Sequence, residues 1–303
     1  MPRVMLHEVG PRDGLQMERA VVPLAIKEDW IRRAAAAGLD IIQVGSFVHP
    51  QKVPQMADTD ELVRRLTADP VGGVTLSGLV LNEKGLERGL ACGVTMVCLG
   101  ASASDTHSRK NTGMGSEEAT RRIVGAARAA VAAGTQVQVS VQSAFGCGFE
   151  GPIPEERVLA MVRAYLDAGL RHISLADTAG HAHPAQVRRL FAAIRALDPA
   201  VECTCHFHNT YGLGMANIFA ALEGGVTSFE TSFGGLGGCP FTKVAAGNVA
   251  TEDFVHALQH TGLRPDVKLA ALISLAGDVA GHFGRDLPGF VYKTGPITRT
   301  ESP

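Results

Sequence analysis

Short stretches rich in Val, Ile and Leu alternate along the chain with longer stretches in which Ala, Leu and Arg recur at helical spacing. The short stretches predict strands at 4–9, 40–45, 74–80, 94–99, 136–142, 171–176, 201–207 and 226–231. The longer ones predict helices at 24–37, 57–67, 83–91, 116–133, 154–168, 184–197 and 212–223. Several helices run into a glycine just before the next strand, as in Ala37-Gly38-Leu39, Ala91-Cys92-Gly93, Ala133-Gly134, Ala168-Gly169-Leu170 and Glu223-Gly224-Gly225. A glycine there closes a helix, because it enters the left-handed region without a steric penalty. Eight strands, each followed by a helix, predict an α/β fold: a closed (β/α)8 TIM barrel with additional C-terminal helices near 251–261 and 266–282. The rival, an open doubly wound sheet, usually has fewer strands, and no Gly-x-Gly-x-x-Gly follows the first strand here. With no low-complexity linker and no second core pattern, 1–303 reads as one catalytic domain: a barrel over about 4–232, a glycine-rich loop at 234–240, and helices over about 251–282. The tail from Arg285, with prolines at 288, 296 and 303, is expected to be irregular or disordered.

Composition narrows the partners. The formal net charge of −2, from 28 Lys+Arg and 30 Asp+Glu, favours neither nucleic acid nor an anionic membrane. No apolar run approaches the ~18 residues of a membrane span, and the N-terminus enters a strand-like stretch at once, without the pattern of a leader peptide. Six cysteines in 303 residues do not form a disulfide framework, so reduced thiols and a cytoplasmic setting are expected.

In such a barrel, function sits at the C-terminal ends of the strands. The polar anomalies gather there. Arg12 and Asp13 follow strand one, and Gln43 lies on strand two with Ser46 at its end. Asp177 follows strand six, His206 and His208 end strand seven, and Cys239 and Asn248 follow strand eight. Side chains alternate along a strand, so Thr204, His206 and His208 share one face. Cys203 and Cys205 then face the helices as buried filler, a reading extended to Cys92 and Cys98. Two imidazoles side by side form half a metal site, for which Asp13 and Asn248 can supply oxygens. A mixed nitrogen and oxygen set suits Mg²⁺, Mn²⁺ or Zn²⁺. Without a thiolate, and with positions open to substrate, Mg²⁺ or Mn²⁺ is preferred. Cys239 follows Gly234-Gly-Leu-Gly-Gly238, a run suited to a hinged, mobile loop. Metal, arginine and a mobile thiol together point to acid–base chemistry on a carbonyl compound.

The segments Val9-Gly-Pro-Arg-Asp-Gly-Leu-Gln16, Ser46-Phe-Val48, Ser174-Leu-Ala-Asp-Thr178, His206-Phe-His-Asn-Thr-Tyr-Gly212, Gly234-Gly-Leu-Gly-Gly-Cys-Pro240 and Gly247-Asn-Val-Ala-Thr-Glu-Asp253 resemble the 3-hydroxy-3-methylglutaryl-CoA lyase family. That family is related to the isopropylmalate and homocitrate synthases, and the likeness runs in the same order over roughly 4–280. The resemblance implies a divalent cation, Mg²⁺ or Mn²⁺, held by Asp13, His206, His208 and Asn248. It implies catalytic roles for Arg12 at the developing enolate oxygen, for His206, for Asp177 in proton transfer or substrate binding, and for Cys239 as the mobile acid. It also implies contact of Asn111 with CoA, although Arg109-Lys110-Asn111 by itself reads as a solvated loop. The implied reaction cleaves hydroxymethylglutaryl-CoA, an acyl-CoA thioester, to acetyl-CoA and acetoacetate. The expected assembly is a homo-oligomer, a dimer.

One position departs from the pattern. The family usually has a glutamate where this chain has Gln43, so the partner of Arg12 loses its charge. A lyase for another branched 3-hydroxyacyl-CoA, of the citramalyl-CoA type, therefore stays open. So do a condensing synthase of the same superfamily and a non-catalytic metal- or CoA-binding barrel.

Overall fold

The strands are β1 (Met5–Glu8), β2 (Ile41–Ser46), β3 (Thr75–Leu79), β4 (Met96–Ser102), β5 (Gln136–Gln142), β6 (His172–Asp177), β7 (Glu202–Phe207) and β8 (Ser228–Thr231). In the computed structural model, which describes residues 3–238 and 247–297, they are all parallel and close into a barrel in chain order. Met5 pairs with Ser228 and Glu8 with Thr231, which completes the ring. β2 shows why these stretches are strands: Ile-Ile-Gln-Val-Gly-Ser is buried at every position, as a parallel strand covered on both faces must be.

Seven helices wrap the barrel between strands: α1 (Leu24–Ala36), α2 (Thr59–Ala68), α3 (Glu83–Cys92), α5 (Ser116–Ala132), α6 (Glu155–Asp167), α7 (Pro184–Leu197) and α8 (Gly214–Glu223). Each turns an apolar stripe inward. On α7 the stripe is Val187, Leu190, Phe191 and Ile194, at the i, i+3, i+4, i+7 spacing of one helical face. Gly93 closes α3 with φ 87°, a conformation in which any Cβ would be strained, as the recurrent glycine predicts. After β8 come α9 (Thr251–His260) and α10 (Leu269–Phe283). Among the described residues no helix is long and apolar enough to cross a membrane.

Two segments differ from the sequence expectation. Asp105–Thr112 is a helix, α4, and not a solvated loop. Its stretch, Asp-Thr-His-Ser-Arg-Lys-Asn-Thr, has no apolar periodicity. It is held by the Ser104 hydroxyl, which accepts from the His107 N–H at 3.1 Å, and by an Arg109–Asp105 pair one turn apart. The tail from Arg285 is packed where it is described. Leu287 is buried, and the Asp253 carboxylate accepts from the N–H groups of Phe290 and Val291, starting the short helix α11 (Val291–Thr294).

Candidate active site at the barrel mouth

β7 carries the histidines. Cys203, Cys205 and Phe207 pack into the core under the helices, and Thr204 and His206 face the lumen, as the alternation requires. His208 continues the same face just past the strand. The two Nε2 atoms lie 3.0 Å apart. Asp13 Oδ2 lies 3.9 Å from His206 Nε2 and 3.8 Å from His208 Nε2. These three ligand atoms fall within 4.8 Å of one another.

Asp13 reaches this point because the chain after β1 makes a single wide turn, Gly10–Gly14, in which the Val9 carbonyl accepts from the N–H groups of Arg12, Asp13 and Gly14. Gly10 is obligatory there: a Cβ would lie 2.7 Å from Glu8 Oε1 and 2.8 Å from the Phe233 ring. Arg12 Nη1 donates to Asp13 Oδ1 at 2.5 Å, and Arg12 Nε donates to Gln43 Oε1. Gln43 thus holds the guanidinium through a neutral amide, which brings no charge of its own. Burial disfavours the Asp13 carboxylate. The Arg12 charge and the His208 hydrogen bond overcome that, and its carboxyl is held well below the usual range.

Asn248 lies against Asp13. Its Nδ2 donates to Asp13 Oδ2 at 2.9 Å and to the Leu236 carbonyl at 3.0 Å, which leaves Oδ1 buried without a partner. An orphaned buried acceptor beside a carboxylate and two imidazoles is the kind of donor set that a hard or borderline divalent cation satisfies. The glycine loop starts directly over it: a Cβ on Gly237, at φ 122°, would lie 2.5 Å from Asn248 Nδ2.

Glu230 was missed in the sequence. It sits on β8 beside His206, and its Oε2 lies 2.9 Å from His206 Nδ1. A carboxylate at Nδ1 keeps the proton on that nitrogen and turns the Nε2 lone pair outward, the arrangement a metal-binding imidazole needs. Burial alone would push the Glu230 carboxyl up. The His206 hydrogen bond and the neighbouring His206 and His7 rings reverse this, and it is held down at about 2. The signal was present. A glutamate inside Ser228-Phe-Glu-Thr231, in a strand covered on both faces, has no place except the lumen.

A cavity of about 250 Å³ opens over this cluster, lined by Arg12, Asp13, Gln43, His206 and His208, with Asn111 of α4 at its rim. Asp177 is not among its lining residues. Its two oxygens accept from the N–H groups of His181 and Ala182, and burial lifts its carboxyl to about 7 against those bonds. It holds the turn after β6, with its side chain on the face opposite Ser174 and Ala176. Cys98, expected as buried filler, is buried, but on the lumen side with Ile41 and Met96, where it lines the cavity, its thiol pushed up to about 12 by burial. Cys239 lies outside the described residues; Gly238, just before it, lines the cavity.

The frame around this mouth is set by two buried carboxylates. Glu8 accepts from the N–H groups of Gly10 and Phe233 and from the Thr251 hydroxyl. Glu252 accepts from the Gly234 N–H at 3.0 Å, and its Oε1 has no partner. Burial lifts them to about 7 and about 8. A carboxyl raised on folding stabilises the protein below its unfolded value and loses that contribution as pH rises through the folded one. Glu252→Gln is therefore expected to stabilise the protein by on the order of 1–2 kcal/mol at pH 9, the cost of a buried charge with an unmet oxygen. The gain should vanish near pH 4. Thermal melts across pH check it; a gain as large at pH 4 as at pH 9 would refute the assignment.

Comparison with known proteins places the chain. The model of the HMGL-like family matches residues 3–279. The chain belongs to that family. It is 38% identical to a hydroxymethylglutaryl-CoA lyase of Bacillus subtilis, over 94% of this chain and 95% of the relative. It is 39% identical to an (R)-citramalyl-CoA lyase of Chloroflexus aurantiacus, over 98% and 96%. An HMG-CoA lyase from Acinetobacter baumannii, solved with coenzyme A and 3-methylmalate, superposes with a TM-score of 0.92 at 36% identity, covering 99% of this chain and 98% of that one. This HMGL-like protein is a carbon–carbon lyase with a barrel fold, as its sequence led us to expect.

Proposed function

We propose that the protein is a divalent-metal-dependent acyl-CoA lyase that cleaves 3-hydroxy-3-methylglutaryl-CoA to acetyl-CoA and acetoacetate by a retro-Claisen step. The observation that carries this reading is the convergence of Asp13, His206 and His208, with Arg12 beside them, at the mouth of an HMGL-like barrel. Asp13, His206, His208 and the Asn248 oxygen would hold Mg²⁺ or Mn²⁺. Bound there, the cation would supply Lewis acidity that lowers the pKa of the substrate's tertiary alcohol, so that its proton can pass to a base in the site as the carbonyl forms. Glu230 keeps His206 in the required tautomer. Breaking the carbon–carbon bond throws charge onto the thioester oxygen, and Arg12, pinned by Gln43 and Asp13, is a fixed guanidinium for that charge. Cys239 then gives a proton to the enolate carbon; a thiol of ordinary pKa about 8.5 is a competent donor. Asn111, at the cavity rim, suits contact with the CoA chain. Acetyl-CoA release from hydroxymethylglutaryl-CoA, lost on chelation and restored by Mg²⁺ or Mn²⁺, is the test. Full activity after exhaustive chelation would end the metal reading.

Gln43 favours a second reading, a lyase for another branched 3-hydroxyacyl-CoA of the citramalyl-CoA type. A neutral amide orients Arg12 without offsetting its charge, so the site keeps more positive charge for an anionic substrate group. Gln43→Glu separates the two. The expected result is no gain, or a loss of up to ~10-fold, on the preferred thioester, since the carboxylate joins Asp13 and Glu230 in one buried site. A clear gain on hydroxymethylglutaryl-CoA, with no better substrate in a thioester panel, would return the first reading alone.

A further inference from the structure

The walls of the cavity differ in chemistry, and strand order fixes which faces which. β1 and β2 bring Arg12 and Gln43, β7 brings the histidines, and Leu79 and Leu81 make an apolar side at β3. Four strands round from β1, the lumen face of β5 brings Gln138, Ser140 and Gln142, and β6 adds Ser174. The lumen of a TIM barrel is normally filled by branched apolar side chains, so a neutral polar wall there needs a reason.

Gln138 supplies one. It is 2% exposed and lines the cavity. Its Nε2 donates to Glu230 Oε1 at 2.5 Å. A carboxylate can only accept, so this bond fixes which way the amide points. The Gln138 Oε1 atom is left buried with no partner. Native structures rarely leave such an acceptor unmet, and in a cavity wall the missing donor belongs on a ligand. The donor must also sit on a group that is not an anion, because an anionic group there would face the Glu230 carboxylate behind the amide. A hydroxyl meets both conditions: it can donate to Gln138 Oε1 and accept from Ser140, whereas the Ser174 hydroxyl is turned to Glu230 Oε1.

We propose that the β5–β6 wall, through Gln138 Oε1, binds a hydroxyl group on a branch of the substrate's carbinol carbon. The preferred substrate is then a branched 3-hydroxyacyl-CoA thioester whose third branch is hydroxylated and not a bare alkyl group. This rests on the second lyase reading above, a lyase for another branched 3-hydroxyacyl-CoA, and not on hydroxymethylglutaryl-CoA, whose third branch is a methyl group.

The test uses the purified full chain with Mn²⁺ and three thioesters that differ only at that branch: methyl, ethyl and hydroxymethyl, both epimers supplied. Ethyl and hydroxymethyl match in size, so their ratio isolates the hydroxyl. The expected kcat/KM for hydroxymethyl exceeds that for ethyl by at least ~10-fold, since a site built to bond a hydroxyl rejects an analogue lacking it. Gln138→Leu should erase this ratio. Because that change also strips Glu230 of a partner, Ser140→Ala is the second variant, expected to lower the ratio in part. Cleavage of ethyl as well as or better than hydroxymethyl would overturn the inference and leave the lyase standing. So would a ratio unmoved in both variants. Failure to cleave any of the three would overturn the lyase reading, and this inference with it.

Discussion

His208→Ala is expected to lower Mn²⁺ affinity by at least ~100-fold while the barrel stays folded. Loss of an outer hydrogen-bonding partner already costs a metal site about 10–100-fold, and His208 would be a direct ligand. The fold should tolerate the change. His208 lies just beyond the end of β7, and its Nδ1 has no hydrogen-bond partner to abandon. His206→Ala should behave differently. It removes the same kind of ligand but also deprives Glu230, buried in the lumen, of the ring that stabilises its charge. Breaking a buried pair by removing one member typically costs about 3–5 kcal/mol, so this variant should lose both cation and stability. Titration calorimetry with Mn²⁺ and denaturant melts separate the two effects. Native Mn²⁺ affinity in His208→Ala, or equal stability of the two variants, would refute the arrangement at the barrel mouth.

The barrel was legible because its signals repeat. Eight apolar runs alternate with amphipathic helices closed by glycine, and each unit reinforces the next, so every strand appears within two or three residues of its expected ends. α4 was not legible, because its stability comes from the Ser104 cap and an ion pair and not from an apolar stripe. Alternation along β7 placed the histidines and buried Cys203 and Cys205 correctly. The same rule carries over to the other strands and orients residues that position alone does not. Counted from Met96, it puts Cys98 in the lumen; counted from Ser228, it puts Glu230 there; counted from Ser174, it turns Asp177 away from the cavity. Position at a strand's C-terminal end decides only that a residue is near the mouth. Parity decides whether it faces the substrate.

Cys239→Ser is expected to lower kcat by about 10²–10⁴-fold, the usual worth of a general acid. A serine hydroxyl is a far weaker acid than a thiol of pKa about 8.5, so it protonates an enolate poorly although it can occupy similar space. The other cysteines make a chemical version of this test possible. Cys92, Cys98, Cys147, Cys203 and Cys205 are all buried and free. Burial raises the thiols of Cys92, Cys98, Cys203 and Cys205, which suppresses the thiolate that alkylating reagents require. Cys98 is the informative control, since it lines the cavity yet is pushed up to about 12. Alkylation of the native protein should therefore stop turnover by modifying one residue, Cys239, and a bound thioester should protect it. Peptide mapping reads the site of modification directly. Near-native turnover in Cys239→Ser would show that the thiol is not the acid. Inactivation that tracks modification of Cys98 would move the reactive thiol from the glycine loop to the floor of the barrel.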